Sequence, residues 1–157
     1  MQIQVMSYHI SSPEVAATYT QIESGIRRGL VEGQSEWQDK FQKDYPFVGA
    51  IIYGSWAKGY PHRDSDLDLT GLVISDVSRA QTDEFDDRMD SVTPRSINFI
   101  HHLFDISVND PRSLTELNSS FYRNFKLVTP YPAVEYLISC AQRRASFFQR
   151  LSRTLGG

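Results

Sequence analysis

The chain has 157 residues and a formal net charge of −3, which suits a single domain without an overall attraction to nucleic acid or to an anionic membrane. It is 40% hydrophobic and 12% aromatic, which excludes a disordered chain. Its one cysteine, Cys140, excludes an intrachain disulfide, and no apolar run approaches the length of a membrane span, so we expect a cytoplasmic protein.

The first predicted elements are helical. Ser12-Pro13-Glu14 combines a hydroxyl cap, a first-turn proline and an acid, and predicts a helix that continues to about Leu30. A break before a second helix over residues 34–43 is predicted because three glycines weaken this region: Gly25, Gly29 and Gly33.

The remaining predicted elements follow in the order strand, turn, strand, helix, strand, helix, helix. The predicted strands are Phe47–Tyr53, Leu67–Ile74 and Ser96–Phe104, and the predicted helices are Asp76–Ser91, one opening at Asp110-Pro111, and the long helix Pro132–Leu155. This order predicts the α/β (α+β) class, a small mixed sheet with helices packed on it. We expect one domain over residues 1–157, with a core over about 45–105 and a helical C-terminal part over about 110–155.

Two aspartates alternate with leucines at the start of the second predicted strand. Because alternate strand residues share a face, Asp66 and Asp68 should project side by side, where their charges repel unless a cation lies between them. Carboxylates at this spacing suit Mg²⁺. Asp64 would extend the series to an EF-hand, but that loop needs a glycine where Leu69 stands and a glutamate where Ser75 stands.

A Gly-Ser pair follows the first predicted strand directly. Gly54 allows a sharp turn and a close approach of the backbone, and Ser55 adds a hydroxyl beside amides that can bind an anion. This pattern predicts a phosphate site. Lys58 does not stand in the sequence context of a P-loop lysine, which excludes that class.

Together these residues resemble the nucleotidyltransferase superfamily with the polymerase β-like fold, in particular the minimal nucleotidyltransferases. The family signature is Gly-Ser, about ten residues, then Asp-x-Asp, and here Gly54-Ser55 and Asp66-Leu67-Asp68 are ten residues apart. The finer pattern GSxAxG, five residues, SDxDL is also met, through Ala57, Gly59 and Ser65 among others. The resemblance covers residues 45–105 or so.

The resemblance implies a site and a reaction. Gly54, Ser55 and Ser65 would bind the nucleotide, and Asp66 and Asp68 would be catalytic residues that hold two Mg²⁺ ions, with Mn²⁺ as a substitute. A hydroxyl of the acceptor would attack the α-phosphate of ATP or another NTP. AMP is the favoured group to be transferred.

The third family carboxylate, expected on the next strand, has no clear counterpart. The favoured register places Asn98 there as the third site residue; Asp105 and, in a shifted register, His101 are the alternatives. An amide oxygen can ligate a metal but cannot act as a base.

Two functions remain open from the sequence. The first is a Mg²⁺-dependent nucleotidyltransferase acting on a protein, nucleic acid or small-molecule hydroxyl, such as the antitoxin that modifies a HEPN-type toxin. The alternative is a nucleotide-binding module of the same fold with weak or lost catalysis, which serves as a sensor or partner-binding protein.

Overall fold

A five-stranded mixed β-sheet lies at the centre of the described chain. The computed structural model describes residues 13–61, 65–99, 103–106, 125–140 and 154. The strands are β1 (Phe47–Tyr53), β2 (Leu67–Val73), β3 (Ile97–Phe99), β4 (Phe104–Asp105) and β5 (Lys126–Val128). The helices are α1 (Pro13–Phe41), α2 (Gly54–Lys58), α3 (Arg79–Val92) and α4 (residues 132–140).

The sheet contains both antiparallel and parallel pairs. Strand β1 lies between β2 and β5 and is antiparallel to both, whereas β3 and β4 follow each other along the outer edge of β2 and run parallel to it. The predicted single strand Ser96–Phe104 is therefore divided in two, and residues 100–102 lie outside the described part. The predicted fold class, a small mixed sheet with helices packed on it, is confirmed.

Helix α1 is one continuous helix of 29 residues, so the predicted break before residue 34 is wrong. The three glycines behind that prediction, Gly25, Gly29 and Gly33, allow close packing. A Cβ on Gly25 would collide with the backbone carbonyl of Val92, and one on Gly33 would collide with the ring of Tyr45. Each glycine costs helix propensity of about 1 kcal/mol, and the close packing of α1 against its neighbours offsets that cost.

Both faces of the sheet are covered by apolar side chains. On one face, Ile26 and Leu30 of α1 and Phe85 and Met89 of α3 belong to one apolar cluster with the strand residues Phe47 and Leu69. The opposite face packs against α4, through Ile51, Tyr53, Leu72, Ile106, Val134 and Ile138. Asp68 belongs to the second face by alternation, because Leu67 and Leu69 point into the first, and Asp66 directly precedes the strand.

Helix α3 begins later than the sequence suggested. Ser78 and Gln81 form a capping box, in which each side chain bonds the backbone N–H of the other residue, at 3.2 Å and 2.8 Å. The helix therefore starts at Arg79 and not at Asp76.

The C-terminal predictions fall only partly on described residues. The predicted helix Pro132–Leu155 is confirmed over residues 132–140, and the remainder, apart from the helical Thr154, lies outside the described residues, as does the helix predicted from Asp110-Pro111. Within the described residues, no helix combines the length and apolar character needed to cross a membrane.

Candidate active site

A one-turn helix connects the two central strands. Helix α2 begins at Gly54, directly after β1, and is closed by Gly59, whose amide donates to the Ser55 carbonyl oxygen over 3.1 Å. Both glycines have a left-handed backbone, with φ of 71° for Gly54 and 87° for Gly59. The chain can therefore leave β1 and complete one helical turn within the few residues from Gly54 to Gly59.

Gly54 lies against the carboxylate of Asp68. The register pairs Tyr53 with Asp68, which brings the next residue, Gly54, over the Asp68 side chain. A Cβ built on Gly54 would collide with Asp68 Oδ2. Glycine meets both the positive φ and this close approach, so the predicted phosphate-binding turn lies directly beside the predicted metal ligand Asp68.

The first turn of α2 is partly exposed and carries the predicted Ser55. Tyr53, at the N-cap position, provides no side-chain hydrogen bond to the first amides of α2. Gly54 and Ser55 are both half-buried, at the surface of the same turn. Uncapped amides and a hydroxyl beside them can donate to phosphate oxygens.

Asp66 and Asp68 differ in their surroundings. Asp66 is exposed just before β2, whereas Asp68 is half-buried within it. Burial, together with the nearby charge of Asp66, raises the pKa of the Asp68 carboxyl above its usual value. Two neighbouring carboxylates suit a divalent cation, because the cation offsets the repulsion between their charges.

Asn98 lies beside Asp68 on the neighbouring strand. The parallel pairing of β2 with β3 places the Cα atoms of Asp68 and Asn98 opposite each other, and the Asn98 side chain is exposed. This is the register favoured by the sequence. Asp105 pairs with Val73, five residues further along β2 and thus about 16 Å from Asp68 at the usual rise of a strand. His101 lies outside the described residues.

The oxygen atoms of the candidate site are of the kind that a divalent cation prefers. Among the described residues, no group of three or more His, Cys, Asp or Glu side chains is arranged to hold a metal ion. Two carboxylates and an amide oxygen leave room for water and phosphate oxygens, which is the arrangement that Mg²⁺ prefers. The residues present therefore fit the predicted metal.

Two further residues near the site were not singled out from the sequence. Trp56 Nε1 donates to the Ser65 carbonyl oxygen over 3.5 Å, and the Arg95 guanidinium carbon lies 5.4 Å from the centre of a Trp56 ring. The contact with Arg95 joins residues that are distant in sequence, and the only local signal was a tryptophan directly after the Gly-Ser pair. Ser65, predicted to bind nucleotide, is thereby tied to α2 through its backbone.

Comparisons with known proteins give structural neighbours only. No protein-family model and no curated protein matches the chain. A toxin–antitoxin crystal structure with AMP-PNP superposes with a TM-score of 0.49 at 16% identity, over 84% of this chain and 90% of that chain. A variant of the MntA–HpeT toxin–antitoxin pair gives a TM-score of 0.48 at 14% identity, again over 84% and 90%.

A third neighbour is the tri-AMPylated HEPN toxin of Shewanella oneidensis in complex with its MNT antitoxin. Its TM-score is 0.46 at 12% identity, over 87% of this chain and 91% of that chain. These descriptions name the kind of protein that the Gly-Ser and Asp-x-Asp motif resembles. At such identities and TM-scores, the likeness by itself assigns neither an activity nor a partner to this chain.

Proposed function

We propose that this chain is a Mg²⁺-dependent nucleotidyltransferase that transfers AMP from ATP to a hydroxyl of an acceptor. The observation that supports this most directly is the contact of Gly54 with Asp68. It joins a turn suited to phosphate and a pair of carboxylates suited to metal into one site, which is what nucleotidyl transfer requires.

Each residue has a role in the proposed reaction. The amides of the first turn of α2 and the Ser55 hydroxyl would hold the β- and γ-phosphates, and the Ser65 segment would border the nucleotide. Asp66 and Asp68 would hold the metal, which, when bound, neutralises charge on the phosphates and steadies the attacking and leaving oxygens. The acceptor oxygen would form a bond to the α-phosphorus as the bond to pyrophosphate breaks.

Asn98 limits the proposed reaction at the step in which the attacking hydroxyl loses its proton. An amide is neutral, so Asn98 can offer an oxygen to the metal but cannot take the proton of the attacking hydroxyl. We therefore expect turnover to be slow compared with a site that has a carboxylate at this position.

The concrete acceptor in the proposal is a protein, namely a HEPN-type toxin of which this chain would be the antitoxin. The motif resemblance suggests this pairing, and the descriptions of the structural neighbours name the same one. A nucleic acid end or a small molecule is the other acceptor class for the same chemistry.

A second candidate function is nucleotide binding with weak or lost catalysis. Asn98 beside Asp68 specifically favours it, because a binding module needs the metal and the phosphate site but not the base. Such a protein would act as a sensor or as a steric partner.

One assay tests the proposal and separates it from the alternative. The purified chain is incubated with ATP labelled at the α-phosphate and with Mg²⁺, alone and with a lysate or a co-expressed candidate toxin. The proposal predicts transfer of label to an acceptor with release of pyrophosphate, and loss of both in Asp68→Asn. Tight nucleotide binding without any transfer would instead support the binding module.

A further inference from the structure

The indole of Trp56 lies where the two halves of the candidate site meet. Trp56 belongs to α2, the helix that begins with Gly54 and Ser55, and it is only 2% exposed. Its Nε1 donates to the carbonyl oxygen of Ser65, the residue that immediately precedes Asp66. The Trp56 side chain therefore connects the turn at Gly54 and Ser55, called the phosphate turn below, to the segment that carries Asp66.

A third segment packs on the same indole. The Arg95 guanidinium carbon is 5.4 Å from the centre of a Trp56 ring, which is within the range of a cation–π contact. The next residue, Ser96, accepts a hydrogen bond from the Leu67 amide over 2.9 Å. Arg95 and Ser96 thus contact α2 on one side and the start of β2 on the other, directly before β3 and Asn98.

Asp66 is the site residue that most needs such support. It precedes β2, whose ladder begins at Leu67, and its side chain is exposed. Asp68, by contrast, is fixed by strand neighbours on both sides, Tyr53 and Asn98. The position of Asp66 relative to Asp68 therefore depends on the segment before the strand, and the Trp56 hydrogen bond acts on that segment.

We propose that Trp56, packed against Arg95, is a positioning residue that holds Ser65 and Asp66 at the correct distance from the phosphate turn and so sets the affinity of the site for metal. This inference rests on the proposed function, because it gives the carboxylates their role as metal ligands. It adds two residues outside the Gly-Ser and Asp-x-Asp motif to the determinants of that role.

The chain contains a matched control for the indole N–H. It has two tryptophans, and Trp37 lies in the same apolar cluster, 1% exposed, with an Nε1 that has no hydrogen-bond partner among the described residues. Trp56→Phe and Trp37→Phe each remove one buried indole from the same core. Only Trp56→Phe also removes a hydrogen bond to Ser65, the residue before Asp66.

The experiment measures Mn²⁺ affinity by calorimetry and amide hydrogen exchange over residues 65–68. We expect Trp56→Phe to weaken Mn²⁺ binding about two- to threefold, the lower end of the range for one hydrogen bond because this one is long at 3.5 Å, and to speed exchange at residues 65–68. Trp37→Phe should lower the unfolding midpoint but leave both readouts as in the unchanged protein. Arg95→Gln should weaken Mn²⁺ binding, and Arg95→Lys, which keeps the cation, should restore most of it.

Several outcomes would overturn the inference. Wild-type Mn²⁺ affinity and wild-type exchange in a folded Trp56→Phe protein would show that the indole serves packing alone, and equal losses in Trp56→Phe and Trp37→Phe would show the same. If Trp56→Phe does not fold, Arg95→Gln and Arg95→Lys decide the question by the same two readouts. Failure of the proposed function is seen separately, because a wild-type protein that does not bind Mn²⁺ refutes the metal site. In that case the hydrogen-exchange data alone test whether Trp56 holds residues 65–68 in place.

Discussion

Asn98 lies directly opposite Asp68 in the parallel pairing of β2 and β3, at the place where a third carboxylate would complete the proposed metal site. The two residues are neighbours across one strand spacing, so a charge placed on residue 98 would act on any cation that Asp68 holds. We therefore expect the rate of the proposed nucleotidyl transfer to depend on the side chain at position 98.

The first prediction is that Asn98→Asp increases activity. A carboxylate would add a charged metal ligand and a candidate base, and we expect faster transfer, on the order of 10²-fold, with tighter Mn²⁺ binding. The metal-free variant should be less stable than the wild type, because a third acid joins Asp66 and Asp68, and Mg²⁺ should restore that stability. Asn98→Ala is the control, and an Asn98→Asp protein with unchanged rate and Mn²⁺ affinity would contradict the assignment.

The second prediction concerns Gly54. In Gly54→Ala, the methyl group would collide with Asp68 Oδ2 and the backbone would be held at a φ of 71°. Gly59→Ala is the matched control, since it imposes a similar φ of 87° on the far end of the same helix. The positive φ alone should cost each variant about 1–2 kcal/mol of unfolding free energy.

Chemical denaturation and nucleotide titration separate the two glycine effects. Gly54→Ala should lose more stability than Gly59→Ala, and it alone should lose metal-dependent ATP binding. Equal effects of the two substitutions on ATP binding would mean that Asp68 does not lie under the turn.

The third prediction is a pH dependence that follows from Asp68. Its pKa is raised in the folded protein, by burial and then by the charge of Asp66, so the folded state holds this proton more tightly than the unfolded state. The stabilising contribution is present at low pH and is lost as the pH rises through the folded pKa. Asp68→Asn should therefore raise the metal-free unfolding free energy at pH 7, and this gain should shrink as the pH falls toward the ordinary value of 3.8.

Metal affinity should also depend on the protonation of Asp68. Mn²⁺ affinity of the wild type should fall as the pH is lowered through the raised pKa, because a protonated Asp68 is a poor ligand. A Mn²⁺ affinity that is flat from pH 7 down to pH 4 would contradict the role of this carboxylate.

The fourth prediction tests the packing of α1 on α3. Arg88 is only 11% exposed and pairs with Glu84 at 2.5 Å and with Glu36 at 3.1 Å. Arg88→Ala would leave the buried Glu84 charge without its partner, and we expect a loss of about 3–5 kcal/mol in unfolding free energy. Arg28→Ala, which removes an exposed pair with Glu32 at 3.8 Å, should cost no more than about 0.5 kcal/mol by the same denaturation measurement.

The central strands and the turn between them were predictable because their signals are local. The strand prediction Phe47–Tyr53 is confirmed, and Leu67–Ile74 differs from β2 by one residue at its end. The register that places Asn98 beside Asp68 was also favoured from the sequence, since Asn98 stands in an apolar run that reads as a strand. Short apolar segments between turn residues fix both the type of element and the face of each side chain.

The errors and omissions arise from contacts between distant residues. Helix propensity predicted a break at Gly33, but Tyr45 fills the space that this glycine leaves. The contact of Arg95 with Trp56 links residues far apart in the chain and has no local signature. Propensity and spacing report on the neighbours in sequence, whereas these features depend on which elements pack together.

The central claim is that Asp66, Asp68 and the Gly54 turn form one metal-dependent nucleotide site. Its most direct test is a calorimetric titration of ATP into the wild type in Mg²⁺, repeated in EDTA and repeated in Mg²⁺ with Asp68→Asn verified as folded. The account predicts saturable binding with Mg²⁺ and a loss of at least about tenfold in affinity, or 1.4 kcal/mol, both in EDTA and in the variant. Equal ATP affinity under all three conditions would contradict it.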